Sequence, residues 1–469
     1  MPSHKQSKGP FTNGIIYTCF LINVVLISCD HPSNGDINGE TGKHLISEIN
    51  AKEIPLTKRT IAITGAMIVD GNGGEPVPNG CVVIKEGKIT EVGINGEIKI
   101  PSEAEIMDAK GMTLLPGFID AHFHLDEVKG LPAMFLRNGV TSIRDPGAWI
   151  EAYDEERKSG KAIPRLFLSG PHLDMFPPAY PDDAYIVRDA LEAVNQVNKM
   201  CDAGSTVIKV YFRLPPGIIR EICKTAHGRG IPVTAHLETT EAIEAIEEGL
   251  DGIEHITSFG LSLQTKREGE KYRQLVLADN NARKQGRYDV WKNLDINGPM
   301  ADSLTRFLVR KGTFITPTLG AFEYQMPHGG KDSNQSINLS GPQKPGFSIE
   351  HDGDTSKLIA FNNMKALTAK LKRGGARIVV GSHSVIPYAD LGWAFQREME
   401  LLVESGISNS EVIVAATMEN ARFFRIDDRL GSIEKGKIAD MVLVKGNPLK
   451  NIKDARNIVK VMLNGNWIN

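Results

Sequence analysis

Residues 231–256, IPVTAHLETTEAIEAIEEGLDGIEHI, carry the pattern that decides the fold. An apolar run closing on His236 gives way to TTEAIEAIEEGL (239–250). There Ile243, Ile246 and Leu250 recur at i, i+3 and i+7, the spacing of one helix face. A second apolar run, GIEHI (252–256), follows at once and carries His255 at its end. Strand, helix and strand in so short a span is the unit of a parallel sheet covered by helices.

The alternation extends in both directions. GFIDAHFH (117–124), GVTSIRD (139–145), PRLFLSG (164–170) and TVIKVYF (206–212) precede it, and GTFITPTL (312–319) and ARIVVGSH (376–383) follow. Eight strand–helix units predict an α/β fold, a (β/α)8 TIM barrel over residues 116–428. The alternative, an open doubly wound sheet, calls for a Gly-rich phosphate turn after its first strand, and none is present. Two long polar stretches, 260–298 and 321–354, follow the sixth and seventh strands and are expected to be loops on the C-terminal face.

Outside the barrel the pattern is short and β-like. IAITGAMIVD (61–70), CVVIKEGKITEVG (81–93) and EIMDAKGMTLLPG (105–117) are split by turn signals such as DGNGG and INGE. LGSIEKGKIADMVLVKG (430–446) and NIVKVMLNGNWI (457–468) repeat the character. Neither end is long enough to bury a sheet alone, so residues 59–115 and 429–469 are expected to combine into one small β-sandwich domain.

Before that domain, HKQSK (4–8) is basic, residues 14–28 are apolar, and LISCD follows. The apolar run is shorter than the ~20 residues of a membrane-spanning helix and has the layout of a secretory signal over residues 1–28. An uncleaved anchor or a buried β-segment is the alternative. Leu26-Ile27-Ser28-Cys29 resembles a bacterial lipobox, which implies export, a lipidated Cys29 and attachment to a bacterial membrane on its periplasmic or outer face. Residues 29–58 are polar and Gly-rich and read as a flexible tether. The net charge of −3 on 469 residues is well mixed and gives no ground for nucleic-acid binding. Five cysteines (19, 29, 81, 201, 223) form no CxxC pair. Oligomeric state has no signature here.

Of twelve histidines, several fall at strand ends. His122 and His124 are two apart on a strand, so both side chains leave the same face. His236 and His255 close two further strands. Lys209 lies inside an apolar strand, where a lysine is rare without a partner. Taken singly each is more often structural; together they predict a metal site, because imidazole is the commonest biological metal ligand.

These residues also carry a resemblance. LLPGFIDAHFHL, GVTSIRDPGA, IKVY, VTAH, GIEH, ITPTL and the tail ATMENARFFRIDDRLGSIEKGKIADMVLV resemble the amidohydrolase superfamily over residues 60–467, nearest its imidazolonepropionase-like and Xaa-Pro dipeptidase-like branch. The resemblance implies that His122 and His124 bind the more buried divalent ion and that His236 and His255 hold a second. It further implies that Lys209, carboxylated on its amine, bridges the two. Zn2+ suits nitrogen and oxygen donors. The implied activity is hydrolysis of a C–N bond in a small-molecule amide, cyclic amide or dipeptide by metal-activated hydroxide.

One position departs from the family. Its eighth strand ends on a motif like Gly-Thr-Asp, whose aspartate handles the proton; here the chain reads Gly381-Ser382-His383. Three outcomes follow: His383 as a proton shuttle, with one metal or two; a substitute carboxylate nearby; or a metal- or ligand-binding protein without turnover. Asp126, Glu127, Asp145 and Asp390 are the nearby carboxylates. Asp126 and Glu127 read as the start of the first helix, Asp145 as a turn residue and Asp390 as a helix N-cap.

Overall fold

Eight short parallel strands close into the barrel. The structure, a computed structural model, describes residues 46–326 and 353–468. The barrel strands are Phe118–Asp120, Val140–Asp145, Arg165–Leu168, Ile208–Val210, Val233–Ala235, Gly252–Glu254, Phe314–Thr316 and Arg377–Ile378. Neighbours pair in parallel register, for example Thr234 with Gly252 and Ile253 with Ile315. The third and fourth strands join through Thr206 N–H to the Leu168 carbonyl. The ring closes through Ala121 N–H to the Val380 carbonyl, and Asn420 Nδ2 donates to Ile119 and Val380 across the same seam. Two further strands, His172–Asp174 and Ala184–Ile186, extend the sheet after the third strand, where Leu173 pairs with Val210.

Helices cover the outside for the expected reason. Pro216–Gly228 begins on proline, whose missing N–H costs nothing in a first turn. It buries Ile218, Ile219, Ile222, Cys223 and Ala226, one stripe at i, i+1, i+4, i+5 and i+8. The stretch after the sixth strand, expected to be loop, differs: it folds as Lys266–Ala278 and Ala282–Trp291. Thr265 and Glu268 form a reciprocal capping box at the first of these, which overrides the low apolar content of the sequence.

The two chain ends share one sheet. Thr60–Ile68 pairs with Val77–Lys85 on one side and with Met112–Pro116 on the other, and Met112–Pro116 pairs antiparallel with Met441–Lys445. Ala439 and Gly436 reach back to Gly87 and Ile89. The sheet thus closes over its own core of Ile61, Ile63, Val82, Ile84, Leu114, Met441 and Leu443.

Residues 1–45, with the expected signal and Cys29, lie outside the described residues, as does most of the second polar stretch. The last part of the expected tether, residues 46–58, is docked rather than free. Ile46 packs with Phe423 and Phe424, and Ile54 with Leu136, Val461 and Leu463. Asn50 exchanges hydrogen bonds with Pro164 and Leu166 at the start of the third barrel strand. Arg165, buried there, pairs with Glu48 and with Asp440. Isolated apolar anchors on a polar background have no period, so the pattern alone reads as linker.

Candidate metal centre

The histidines named from the sequence follow the C-terminal ends of barrel strands, and Lys209 lies within one. His122 and His124 follow directly after the first strand. Between them Phe123 points the other way into the core, and its N–H bonds to the Arg144 carbonyl. Lys209 is the middle residue of the fourth strand. His236 and His255 come one residue after the fifth and sixth strands, and His383 follows the eighth. The imidazoles form one continuous cluster. The His122 ring centroid lies 4.8 Å from His124, 4.6 Å from His255 and 5.4 Å from His383, and His255 lies 4.4 Å from His236.

An outer layer of polar groups fixes which nitrogen each ring presents. His122 Nδ1 donates to Glu254 Oε2 at 2.7 Å, and the other oxygen of Glu254 accepts from Arg144 at 2.8 Å and from Thr234 at 2.7 Å. His124 Nδ1 lies 3.6 Å from Asp145 Oδ1. His255 Nδ1 bonds to Thr318 Oγ1 at 2.6 Å, and Thr318 in turn donates to the Pro317 carbonyl. His236 turns Nε2 outward to Glu238 at 3.1 Å; Glu238 also accepts from Tyr272 and from Arg287, each at 2.5 Å. Such partners orient metal-ligating histidines and raise their basicity.

Charge follows burial. His122 and His236 are pulled down to about 3, mainly by desolvation, so both are neutral at pH 7. His255 and His383 lie well below the ordinary value, again mainly through burial. His124 is the exception: burial opposes its charge, but the Asp145 carboxylate outweighs it and raises the pKa. Burial would raise Glu254, yet Lys209 and Arg144 hold it far below the usual carboxylate range. Lys209 is lowered to about 7 by desolvation, against the pull of Glu254.

Two observations test the fit of a cation. Glu254, as acceptor, places the ring proton of His122 on Nδ1, and the Asp145 carboxylate faces His124 Nδ1 at 3.6 Å. The Nε2 atoms of the two rings then face each other at 3.0 Å, a spacing that a shared proton or a bound cation satisfies. Lys209 Nζ is buried with no hydrogen-bond partner among the described residues, which is costly for an amine. The donor set fits a divalent metal ion.

The structure also sorts the carboxylates. Asp126 and Glu127 are exposed, ahead of the first helix, Leu131–Arg137. Asp390 is not the N-cap of the helix Ala394–Glu404; Trp393 holds that position. Asp145 accepts from the backbone of Leu125, Gly147 and Ala148 and from Tyr153, so it ties the turn together besides facing His124. Sequence reasoning missed His172, buried against Tyr211 at 4.2 Å with Nε2 unpartnered, and the Glu254–Arg144 pair. The signal that marked Lys209, a charge inside an apolar strand, also marks Arg144 and Glu254.

The fold and the site match known proteins. The Amidohydrolase family model matches residues 113–468. Adenine deaminase of Listeria welshimeri is 39% identical over 90 residues, 18% of this chain and 14% of that one. Adenine deaminase of Rubrobacter xylanophilus is 20% identical over 409 residues, covering 83% of this chain and 54% of that one. Both matches therefore span well under two thirds of the deaminases' length. Among solved structures, a Xaa-Pro dipeptidase with bound methionine in its active site superposes with a TM-score of 0.63 at 19% identity, covering 87% of this chain and 99% of that one.

Proposed function

Because the chain belongs to the amidohydrolase family, we propose that it is a metal-dependent hydrolase that cleaves a C–N bond in a small-molecule amide, cyclic amide or dipeptide. The observation that carries this reading is the convergence of five imidazoles and one unpartnered buried amine at the open end of the barrel. The names of the relatives, a deaminase and a dipeptidase, point to the same class of bond.

His122, His124, Lys209, His236 and His255 would hold the metal, one or two divalent ions, zinc by donor type. A divalent ion bound there supplies Lewis acidity, lowering the pKa of water from 15.7 toward about 7 and polarising a carbonyl. The chain's own groups prepare the site. Glu254 and Thr318 fix ring tautomers, so that the lone pairs of His122 and His255 face the cavity. Lys209, with a pKa of about 7, is substantially unprotonated at neutral pH. That neutral form is able to take up carbon dioxide as a carbamate with release of a proton, which would turn the buried amine into an anionic ligand. His383 is neutral and packs against His122 and His124. The same proposal has the chain exported and held at a bacterial membrane by lipid on Cys29, supported by LISC after the apolar run.

Metal analysis of purified protein, with a screen of dipeptides, acyl-amino acids and cyclic amides before and after chelation, tests the hydrolase. Chelator-sensitive cleavage of at least one class supports it; metal-free protein refutes it. A second reading, a metal- or ligand-binding lipoprotein without turnover, is favoured by His383 standing where the family has its carboxylate. Activity gained only in His383→Asp would decide for that reading.

A further inference from the structure

We propose that His383 is a metal ligand rather than the proton acceptor, and that with His122 and His124 it forms a three-histidine site for one divalent ion per chain. The inference rests on the metal-dependent reading above, which leaves the number of ions and the role of His383 open.

Geometry selects this set. One ligand nitrogen from each of His122, His124 and His383 lies within 4.8 Å of the other two, and among the described residues no other group of three histidine, cysteine or acidic side chains meets that condition. The Nε2 atoms of His122 and His124 already point at each other, 3.0 Å apart. Zn–N bonds of about 2.0–2.1 Å in a tetrahedral site put two nitrogens about 3.3 Å apart, so the pair needs to open by only a few tenths of an ångström.

The backbone is shaped to deliver the third ring. His383 has φ 59° and Ser384 φ 62°, left-handed values that cost side-chain-bearing residues energy. Both are held by the other two histidines: His383 N–H donates to the His122 carbonyl at 2.7 Å, and Ser384 Oγ accepts from His124 N–H at 2.6 Å. The result stacks His383 on His122 at 5.4 Å and sets it edge-on to His124 at 4.9 Å. An imidazole whose lone pair binds an ion cannot also accept a proton.

Charge argues for a single ion. Two dications, a hydroxide, a carbamate and a carboxylate sum to about +1. With neutral imidazole replacing the carboxylate the sum rises to about +2 in a buried site, which disfavours the second dication. His236 lies at the far end of the cluster, next to His255, with its Nε2 tied to Glu238 and Arg287. Lys209 then remains an amine.

The test uses the full chain, stripped with chelator and titrated with Zn2+ or Co2+, with and without bicarbonate. Expected is one tightly bound equivalent per chain, unaffected by bicarbonate. His383→Ala should reduce it below about 0.1 equivalent and abolish the visible Co2+ absorption, while His227→Ala, on the outer helix Pro216–Gly228, retains one equivalent. Circular dichroism confirms that every variant is folded, and His383→Gln replaces any that is not. Two equivalents dependent on bicarbonate, or full occupancy in folded His383→Ala and His383→Gln, would overturn the assignment. Because the readout is metal content, a failed substrate search does not affect it.

Discussion

Glu254→Gln isolates the group on which the outer layer depends. The substitution keeps shape and removes charge. In the native chain Glu254 is fully buried and bonds at once to His122 Nδ1, Arg144 and Thr234. Arg144 is itself about 1% exposed, donates to the Ala121 carbonyl and lies 3.9 Å above the Phe423 ring, so it cannot turn toward water. Removing one partner of a buried pair typically costs about 3–5 kcal/mol, because the other charge stays buried and uncompensated. At 1.4 kcal/mol per tenfold, that is roughly two to nearly four orders of magnitude in the unfolding equilibrium. Urea unfolding of the chelated protein at pH 7 reads this term without metal linkage. Glu254→Gln combined with Arg144→Met should recover part of the loss, since no unpaired guanidinium remains. In the metal-loaded protein the same Glu254→Gln change should weaken affinity about 10–100-fold, because His122 loses its anionic partner. A loss below about 1 kcal/mol in the single variant, with unchanged affinity, would show that Glu254 neither neutralises Arg144 nor orients His122.

Three further outcomes are expected. Gly381→Ala would set a Cβ 2.7 Å from His122 Cβ and against Thr316 Cγ2, so it should displace His122 and lower metal content more than melting temperature. Thr318→Val removes the acceptor for His255 Nδ1 while preserving volume; activity should fall without loss of fold, measured as kcat/KM beside a thermal melt. Lys209 binds a proton less readily folded, at about 7, than unfolded, at 10.5, so from pH 7 to 10.5 the unfolded chain holds more protons. Stability of the chelated protein should therefore rise with pH across that window, and Lys209→Met should flatten the rise.

The barrel was legible because each strand is a short apolar run and its functional residue sits at the run's end, where polarity changes abruptly. His122, His124, His236, His255 and His383 all betray themselves that way, and Lys209 does so as a charge inside an apolar run. Their partners do not. Glu254 and Arg144 come from strands 110 residues apart in sequence, and only barrel closure makes them neighbours. Arg287 and Tyr272 reach Glu238 from helices in a stretch too polar for hydrophobic periodicity, although the Thr265–Glu268 box was readable. The departure at His383 was visible, but not the left-handed backbone that sets its ring against the first-strand pair. Docking of residues 46–58 was hidden because its contacts are made with residues up to 411 positions later.

The shared sheet carries a consequence for biosynthesis. Met112–Pro116 leaves the ribosome early, whereas its antiparallel partner Met441–Lys445 follows only after the 324 intervening residues. At roughly 5–20 residues per second, the nascent chain exposes the apolar edge of Leu114 and Leu115 for about 16–65 s before its mate exists. An unpaired, greasy strand is a template for wrong partners. Until then Met112–Pro116 has only its parallel partner Thr60–Ile68, and a nascent chain stalled short of residue 441 leaves the sheet incomplete at that edge.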